Sequence, residues 1–122
     1  MTTRQEQAKF SSMLGLLLLQ ATYQKTPVVI LELFRSIETQ RGYVARGVSK
    51  TLDSKHLKGL AVDIAFLSDI EDDGKINYSP EKYRLLGEYW ELLGGRWGGR
   101  FGDNPVTSQI EGWDSSHFEF QA

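Results

Sequence analysis

The chain has 122 residues, 40% of them apolar, and carries a formal net charge of -2 at pH 7. This length and composition suit a single core, so we predict one domain that spans residues 1–122. The slightly acidic balance argues against a nucleic-acid partner, which requires clustered Lys and Arg. Because the chain contains no cysteine, thiol catalysis, disulfides and Cys-type zinc sites are excluded.

The first predicted element is a helix over about residues 5–24, which ends before Pro27. Its most apolar run, residues 13–19, is too short for a bilayer span, which needs about 20 apolar residues. The run also lacks a clear cleavage site and the flanking charges of an export signal. We therefore expect no membrane insertion, and synthesis in the cytoplasm without an export signal of its own. The apolar face of the helix consists of Phe10, Met13, Leu14, Leu17 and Leu18.

Two short elements follow this helix. Residues 28–34 are β-branched and apolar, which predicts a buried strand that leads to Arg35. Ser36 is followed three residues later by the polar Thr39, a capping pattern that predicts a short helix over residues 36–43.

A second strand is predicted over residues 60–66 and carries a carboxylate. Strand periodicity places Asp63 on the face opposite Val62, Ile64 and Phe66, between two alanines. Small neighbours leave room around the carboxylate for a metal ion, water and substrate. We therefore expect one face of this strand to carry the core and the other to carry a site.

Acidic residues alternate along the polar segment that follows, with Gly74 at its sixth position and Ile76 at its eighth. This pattern resembles the start of a calcium-binding loop, although Pro80 stands at the twelfth position, where a bidentate Glu belongs. A solvated acidic turn is the favoured interpretation, and Ca²⁺ binding is the alternative. The calcium ligands would be Asp69, Glu71, Asp73 and Asn77.

The last part of the chain predicts a helix, a glycine-rich segment and a strand. Pro80 suits the first turn of a helix that ends at Gly94. In residues 97–101 the glycines permit close backbone approach, while the aromatic rings either line a groove or pack in the core. A strand over residues 117–120 would place the polar side chains at 117 and 119 on one face.

The two histidines of the chain each lie in a compact polar segment. A lone histidine in a polar loop is more often a surface residue than a ligand, but here His56 precedes Asp63, and His117 follows Asp114. A catalytic zinc usually takes three protein ligands and leaves one position open. His56, Asp63 and His117 would supply these ligands for one Zn²⁺. Asp114 would accept the proton of the attacking water in a metal-assisted hydrolysis.

The pattern Ser-x-His-x-x-Gly-x-Ala-x-Asp at residues 54–63 and the pattern Asp-x-x-His-Phe-Glu at residues 114–119 resemble those of zinc peptidases that act on bacterial cell-wall peptides. This family includes D-alanyl-D-alanine peptidases and the L-alanyl-D-glutamate peptidases of phage endolysins. Further similarity over about residues 28–120 lies at Arg35, Gln40, residues 47–50 and the segment Trp97-Gly98-Gly99.

The resemblance implies an α+β fold, with a small, largely antiparallel sheet flanked by helices and the zinc site on the face of the sheet. Such an architecture is shared by hedgehog domains and D-alanyl-D-alanine peptidases. The resemblance also implies His56, Asp63 and His117 as the zinc ligands and Asp114 as the general base.

Three further residues take roles from the resemblance. Arg35 would lie near the metal and hold a substrate carboxylate or stabilise the oxyanion of the reaction. The alternative for Arg35 is a surface salt bridge with Glu32 or Glu38. Ser54 would bind substrate or orient the His56 loop, and Glu119 would support a zinc ligand without binding the metal itself.

The resulting functional hypothesis is an endolysin-type zinc peptidase that hydrolyses peptide-stem amides of bacterial peptidoglycan, with the L-alanyl-D-glutamate bond as the first choice. We expect a phage enzyme that is made in the host cytoplasm and acts on the cell wall as a monomer. One alternative is a D-alanyl-D-alanine carboxypeptidase. Another is a zinc-bearing binding module without activity, against which the intact Asp114 argues.

Overall fold

The structure is a computed structural model that describes residues 1–47, 55–100 and 114–122. Its strands form one antiparallel sheet in the order β1-β2-β4-β3. Helices α1 and α3, whose ranges are given below, pack against this sheet, and this arrangement confirms the predicted α+β class. The elements in chain order are α1 (Thr3–Tyr23), β1 (Val28–Glu32), α2 (Ile37–Ala45), β2 (Ala61–Phe66), α3 (Arg84–Leu92), β3 (Arg96–Trp97) and β4 (His117–Glu119).

Helix α1 begins at a capping box. The Thr2 hydroxyl accepts a hydrogen bond from the Gln5 backbone N–H, and the Gln5 side chain accepts one from the Thr2 backbone N–H. The helix buries residues at helical spacing, as predicted, although Leu14 and Leu18 are only half-buried. Within the described ranges, no helix has the length and apolar content to cross a membrane. The buried residues of α1 are Phe10, Met13, Leu17 and Ala21.

Strand β1 lies at an edge of the sheet, so the prediction of a buried strand is wrong. The strand pairs with β2 on one side, and Ile30 in its middle is 44% exposed. It also ends at Glu32, and Phe34 beyond it is 67% exposed. Composition predicts a strand here but not its position, because an apolar run has the same pattern at the edge and at the centre of a sheet.

The two remaining helices begin and end close to the predicted residues. Ser36 caps α2, since its hydroxyl accepts a hydrogen bond from the Thr39 backbone N–H at 3.1 Å. The predicted third helix is divided into a 3-10 turn at Pro80–Tyr83 and α3 itself. After α3 the chain turns at Gly94, whose φ of 97° is a left-handed conformation that suits glycine.

The core lies between the sheet and helices α1 and α3. The ring centroids of Phe10 on α1 and Trp90 on α3 lie 5.8 Å apart. Trp97 of β3 is only 1% exposed and packs in this core, which decides between the two interpretations of its ring. Phe101 lies outside the described residues. The core-facing residues of β2 are Val62, Ile64 and Phe66, as predicted, and this leaves Asp63 on the opposite face.

Candidate metal and catalytic site

The pairing of β2 with β4 sets two of the predicted ligands side by side. Asp63 and His117 are direct partners across these antiparallel strands, so their side chains project from the same face of the sheet. Oδ1 of Asp63 lies 3.0 Å from Nδ1 of His117. The neighbours of Asp63 on the same face of β2 are Ala61 and Ala65, whose side chains are small and leave space beside the carboxylate.

His56 reaches the same face from a 3-10 turn, Lys55–Lys58. Its Nε2 lies 3.3 Å from Oδ2 of Asp63, and its Nδ1 lies 3.0 Å from the backbone oxygen of Leu33. Because a carbonyl oxygen only accepts hydrogen bonds, Nδ1 carries the proton and donates it. A neutral His56 ring therefore presents the lone pair of Nε2 toward Asp63, which is the tautomer that a metal ligand requires.

These three side chains fit a zinc ion. Among the described residues, His56, Asp63 and His117 form one group whose possible ligand atoms all lie within 4.8 Å of one another. Two imidazoles and a carboxylate are a common ligand set for catalytic zinc. The lone pair of His56 and the negative charge of Asp63 repel each other at 3.3 Å, and a cation bound by both would remove this repulsion.

Glu119 contacts the other nitrogen of His117. Its Oε1 lies 2.8 Å from Nε2 of His117, while Nδ1 of the same ring faces Asp63. Burial lowers the pKa of His117, but hydrogen bonds to the two carboxylates outweigh it and raise the pKa to about 9. Burial likewise opposes ionisation of Asp63, yet the hydrogen bond and the positive charge of His117 hold the pKa of its carboxyl well below its ordinary value. Asp63 is therefore an anionic ligand, and Glu119 occupies the side of His117 that faces away from it.

Asp114 lies in the turn that leads into β4. Its backbone oxygen accepts a hydrogen bond from the His117 backbone N–H at 3.0 Å. Burial raises the pKa of its carboxyl, the positive charge of His117 opposes this rise, and the negative charge of Asp63 adds to it. A raised pKa makes the ionised carboxylate of an aspartate a stronger proton acceptor, which suits a general base.

The end of β3 and the glycine that follows it pack closely on this turn. Nε1 of Trp97 donates a hydrogen bond to the backbone oxygen of Ser115 at 2.8 Å. A Cβ at Gly98 would lie only 2.1 Å from the backbone oxygen of Asp114. The predicted close approach of backbone at the glycines therefore occurs at Gly98, where it brings β3 against the turn that carries Asp114.

Arg35 lies directly beside His56, and its backbone N–H donates a hydrogen bond to the His56 backbone oxygen at 3.0 Å. Its guanidinium donates to Glu32 through Nε, at 2.7 Å, and through Nη2, and it donates to Gln40 through Nη1. The pair with Glu32, which the sequence offered as an alternative, is therefore present, although it is half-buried and not at the open surface. Ser54 lies outside the described residues.

The structure gives no support to a calcium site in the acidic turn. The side chain of Asp69 is 2% exposed and accepts hydrogen bonds from Lys82 at 2.7 Å and from Tyr83 at 3.3 Å. Glu71 and Asp73 are exposed, which agrees with the interpretation as a solvated turn.

Tyr78 is a residue of the site region that the sequence motifs do not mark. The Ser116 side chain, in the turn before β4, is close enough to lower the pKa of its hydroxyl. Burial raises the pKa of Tyr78, and the charges of Asp63 and Asp114 act in the same direction. No local pattern could have identified Tyr78, because the fold alone brings it to the turn before β4.

Comparisons with known proteins agree with this geometry. Residues 47–120, more than half of the chain, match a family model described as D-alanyl-D-alanine carboxypeptidase. Among solved structures, the L-Ala D-Glu endopeptidase ChiX of Serratia marcescens is 26% identical, with 79% of this chain and 68% of that chain covered and a TM-score of 0.55. Comparison with curated protein sequences gives no match.

Two more distant structures share the fold. The LD-carboxypeptidase LdcB is 16% identical, with 92% of this chain and 57% of that chain covered and a TM-score of 0.63. A variant of the vancomycin-resistance D,D-pentapeptidase VanY in complex with Zn(II) is 22% identical. The match covers 92% of this chain and 70% of that chain, with a TM-score of 0.54. From the family match and the His-Asp-His group together, the chain belongs to the zinc peptidase family that comprises D-alanyl-D-alanine carboxypeptidases and L-alanyl-D-glutamate endopeptidases.

Proposed function

We propose that this protein is an L-alanyl-D-glutamate endopeptidase that acts on the peptide stem of bacterial peptidoglycan. The observation that carries the proposal is the group of His56, Asp63 and His117, with Asp114 in the adjoining turn. The choice of bond is supported by the 26% identity to ChiX, which is named for this activity. The biological setting that we propose with it is a phage lysis enzyme, made in the host cytoplasm and acting on the wall as a monomer.

The residues of the site have three different roles in the proposed reaction: metal binding, proton transfer and support of a metal ligand. His56, Asp63 and His117 would hold one zinc ion, which when bound supplies Lewis acidity toward an amide carbonyl and acidifies water. Asp114 accepts the proton of the attacking water and then delivers it to the nitrogen of the leaving amine. Because burial raises the pKa of Asp114, its carboxyl can hold that proton between the two transfers. Glu119 keeps the His117 ring in place through the contact at Nε2.

A D-alanyl-D-alanine carboxypeptidase is the second candidate, and the description of the matching family favours it. That reaction requires a group that binds the terminal carboxylate of the substrate, for which arginine is well suited. Arg35 is the arginine that the resemblance implies for this role, but its guanidinium donates to Glu32 and Gln40.

Mass spectrometry of the muropeptides released from purified walls tests the proposal. Zinc-loaded wild-type protein should produce peptides with a new N-terminal D-glutamate. Asp114→Asn should retain zinc but release these peptides about 10²- to 10⁴-fold more slowly, since it removes the general base. Release of D-alanine alone would establish the carboxypeptidase instead. Equal cleavage by both proteins would exclude Asp114 as the base, and no product from zinc-loaded wild type would refute the peptidase function.

A further inference from the structure

A polar cleft of about 310 Å³ is formed by the connection between β2 and α3. Tyr78 and Asn77 line it together with three charged side chains, those of Asp69, Glu71 and Lys82. A concave site with a few fixed polar groups is the usual form of a ligand-binding site. The proposed chemistry at the metal involves none of these groups, although the peptide stem extends well beyond the bond that is cut.

Hydrogen bonds hold the wall of the cleft in place. The backbone N–H of Asn77 donates to the backbone oxygen of Asp69 at 2.9 Å, which closes the acidic turn. The buried Asp69 carboxylate accepts hydrogen bonds from Nζ of Lys82 at 2.7 Å and from the Tyr83 hydroxyl at 3.3 Å. Tyr83 in turn stacks on Phe66, the last residue of β2, with ring centroids 4.5 Å apart. The cleft is therefore preformed and attached to β2.

Tyr78 connects this cleft to the catalytic turn. It lines the cleft, and the Ser116 side chain in the turn before β4 lies close to its hydroxyl. Burial raises the pKa of that hydroxyl, and the negative charges of Asp63 and Asp114 raise it further. Such an effect requires that both carboxylates lie near Tyr78, which is itself 43% exposed to water. The cleft is therefore the neighbouring space into which a substrate held at the metal can extend.

The cleft presents charges of both signs. Lys82 donates one of its three ammonium protons to Asp69, and its side chain is 51% exposed, so two protons remain available to a ligand. Glu71 is exposed, and within the described part of the chain its carboxylate forms neither a hydrogen bond nor an ion pair. A ligand group with an ammonium and a carboxylate on one carbon would find a partner for each charge here. A plain ammonium would leave Lys82 without a ligand.

We propose that the cleft is a specificity subsite for the diamino acid of the peptide stem, and that it favours a side chain ending in both an ammonium and a carboxylate. The side chain of meso-diaminopimelate ends in this way, whereas that of lysine ends in an ammonium alone. Lys82 binds the terminal carboxylate and Glu71 binds the ammonium. The assignment rests on the proposed cleavage before D-glutamate, since the diamino acid is then the second residue beyond the cut bond, about 7 Å along an extended chain.

Three synthetic peptides test this subsite. They share N-acetyl-L-alanyl-γ-D-glutamate and differ in the next residue, which is meso-diaminopimelate, lysine or the uncharged norleucine. For zinc-loaded wild type we expect kcat/KM to be about 5-fold higher with diaminopimelate than with lysine, the size of one exposed ion pair. The norleucine peptide should be about 5-fold poorer than the lysine peptide for the same reason.

Variants of the two charged residues separate their contributions. Lys82→Met should abolish the preference for diaminopimelate over lysine, whereas Lys82→Arg should retain it. Glu71→Gln, at nearly unchanged size, should lower kcat/KM about 5-fold for both charged peptides and leave the norleucine peptide unaffected. Asp72→Asn is the matched control, because Asp72 is an exposed acid of the same turn that does not line the cleft. It should leave the ratios of the three values unchanged.

Lys82→Met also removes a partner of the buried Asp69 carboxylate, so urea unfolding establishes first whether this variant folds. If it does not, Glu71→Gln decides. Equal kcat/KM of wild type for the diaminopimelate and lysine peptides would overturn the subsite, as would an unchanged preference in folded Lys82→Met. An equal loss with both peptides in Lys82→Met would place the carboxylate of D-glutamate at Lys82 and overturn it as well. A change of the ratios in Asp72→Asn equal to that in Glu71→Gln would have the same consequence.

A binding measurement separates failure of the subsite from failure of the proposed function. Absence of cleavage of all three peptides by zinc-loaded wild type would refute the L-alanyl-D-glutamate endopeptidase. The subsite is then tested by NMR titration with the dipeptides γ-D-glutamyl-meso-diaminopimelate and γ-D-glutamyl-lysine, which need no reaction. Larger shifts of the Lys82 and Tyr78 signals with the first dipeptide are expected. Equal shifts with both dipeptides, or none, would overturn the subsite.

Discussion

Gly98→Ala tests whether the close packing of β3 on the turn before β4 holds the site in place. A Cβ at this position would lie 2.1 Å from the backbone oxygen of Asp114 and 2.9 Å from Cβ of His117. Cβ atoms essentially never approach another heavy atom more closely than 3.0 Å, so the distance to the Asp114 oxygen must grow by about 0.9 Å. The obstacle is backbone, which cannot rotate away as a flexible side chain can.

The required shift affects both the base and a zinc ligand. The backbone oxygen of Asp114 that must move is also the acceptor for the His117 backbone N–H. Overpacking of this kind costs about 1–3 kcal/mol of stability. A displacement of about 1 Å in a catalytic group costs about 100-fold in rate. We therefore expect Gly98→Ala to lower the free energy of unfolding by about 2 kcal/mol and the rate of muropeptide release by about 100-fold.

Urea unfolding followed by tryptophan fluorescence measures the stability term, and mass spectrometry of released muropeptides measures the rate. Gly15→Ala in α1 is the matched control, because a Cβ there meets no described atom within 4 Å. Alanine is the better helix former, so this variant should gain about 0.5–1 kcal/mol and keep its activity. Wild-type stability and rate in Gly98→Ala would show that the close approach does not position Asp114 and His117.

Three other outcomes are expected. In metal-free protein the pKa of His117 is raised from 6.5 to about 9. Protonation of His117 therefore adds to the free energy of unfolding, fully below about pH 6.5, and this contribution is lost as the pH rises through 9. Urea unfolding of chelator-treated protein should show this loss, and His117→Asn should lack it. Asp63→Ala should lose bound zinc, and full occupancy in a metal analysis would remove Asp63 from the ligand set. Calcium titration should change neither unfolding nor cleavage, because Asp69 is bound to Lys82 and Tyr83, and a calcium-dependent shift in either would contradict this.

Features that depend on a few neighbouring residues could be predicted from the sequence. Ser36 caps α2 because its hydroxyl reaches a backbone N–H three residues away, and the pattern records that spacing directly. The face of Asp63 follows from the alternation of β2, which needs no knowledge of the other strands. The grouping of His56 with His117 came from the ligand chemistry of zinc and from the family motifs, since residues so distant in sequence carry no local signal of contact.

Features that depend on the arrangement of elements could not be predicted. The apolar run of β1 indicates a strand, but its exposure follows from a place at the edge of the sheet that periodicity does not encode. Tyr78 and Gln40 likewise acquire their contacts from residues outside their own elements. The sequence allows Trp97 either to line a groove or to fill the core, and only the position of α3 decides for the core.

The direct pairing of Asp63 with His117 also bears on how the protein folds. A slip of one residue between β2 and β4 would turn one of these side chains to the core face, and no ion could then bind both. Zinc therefore has affinity for the native pairing of these strands and none for the slipped one, so its binding energy adds to the preference for the correct sheet. Metal uptake during refolding should thus suppress misregistered species as well as prepare the enzyme for its reaction.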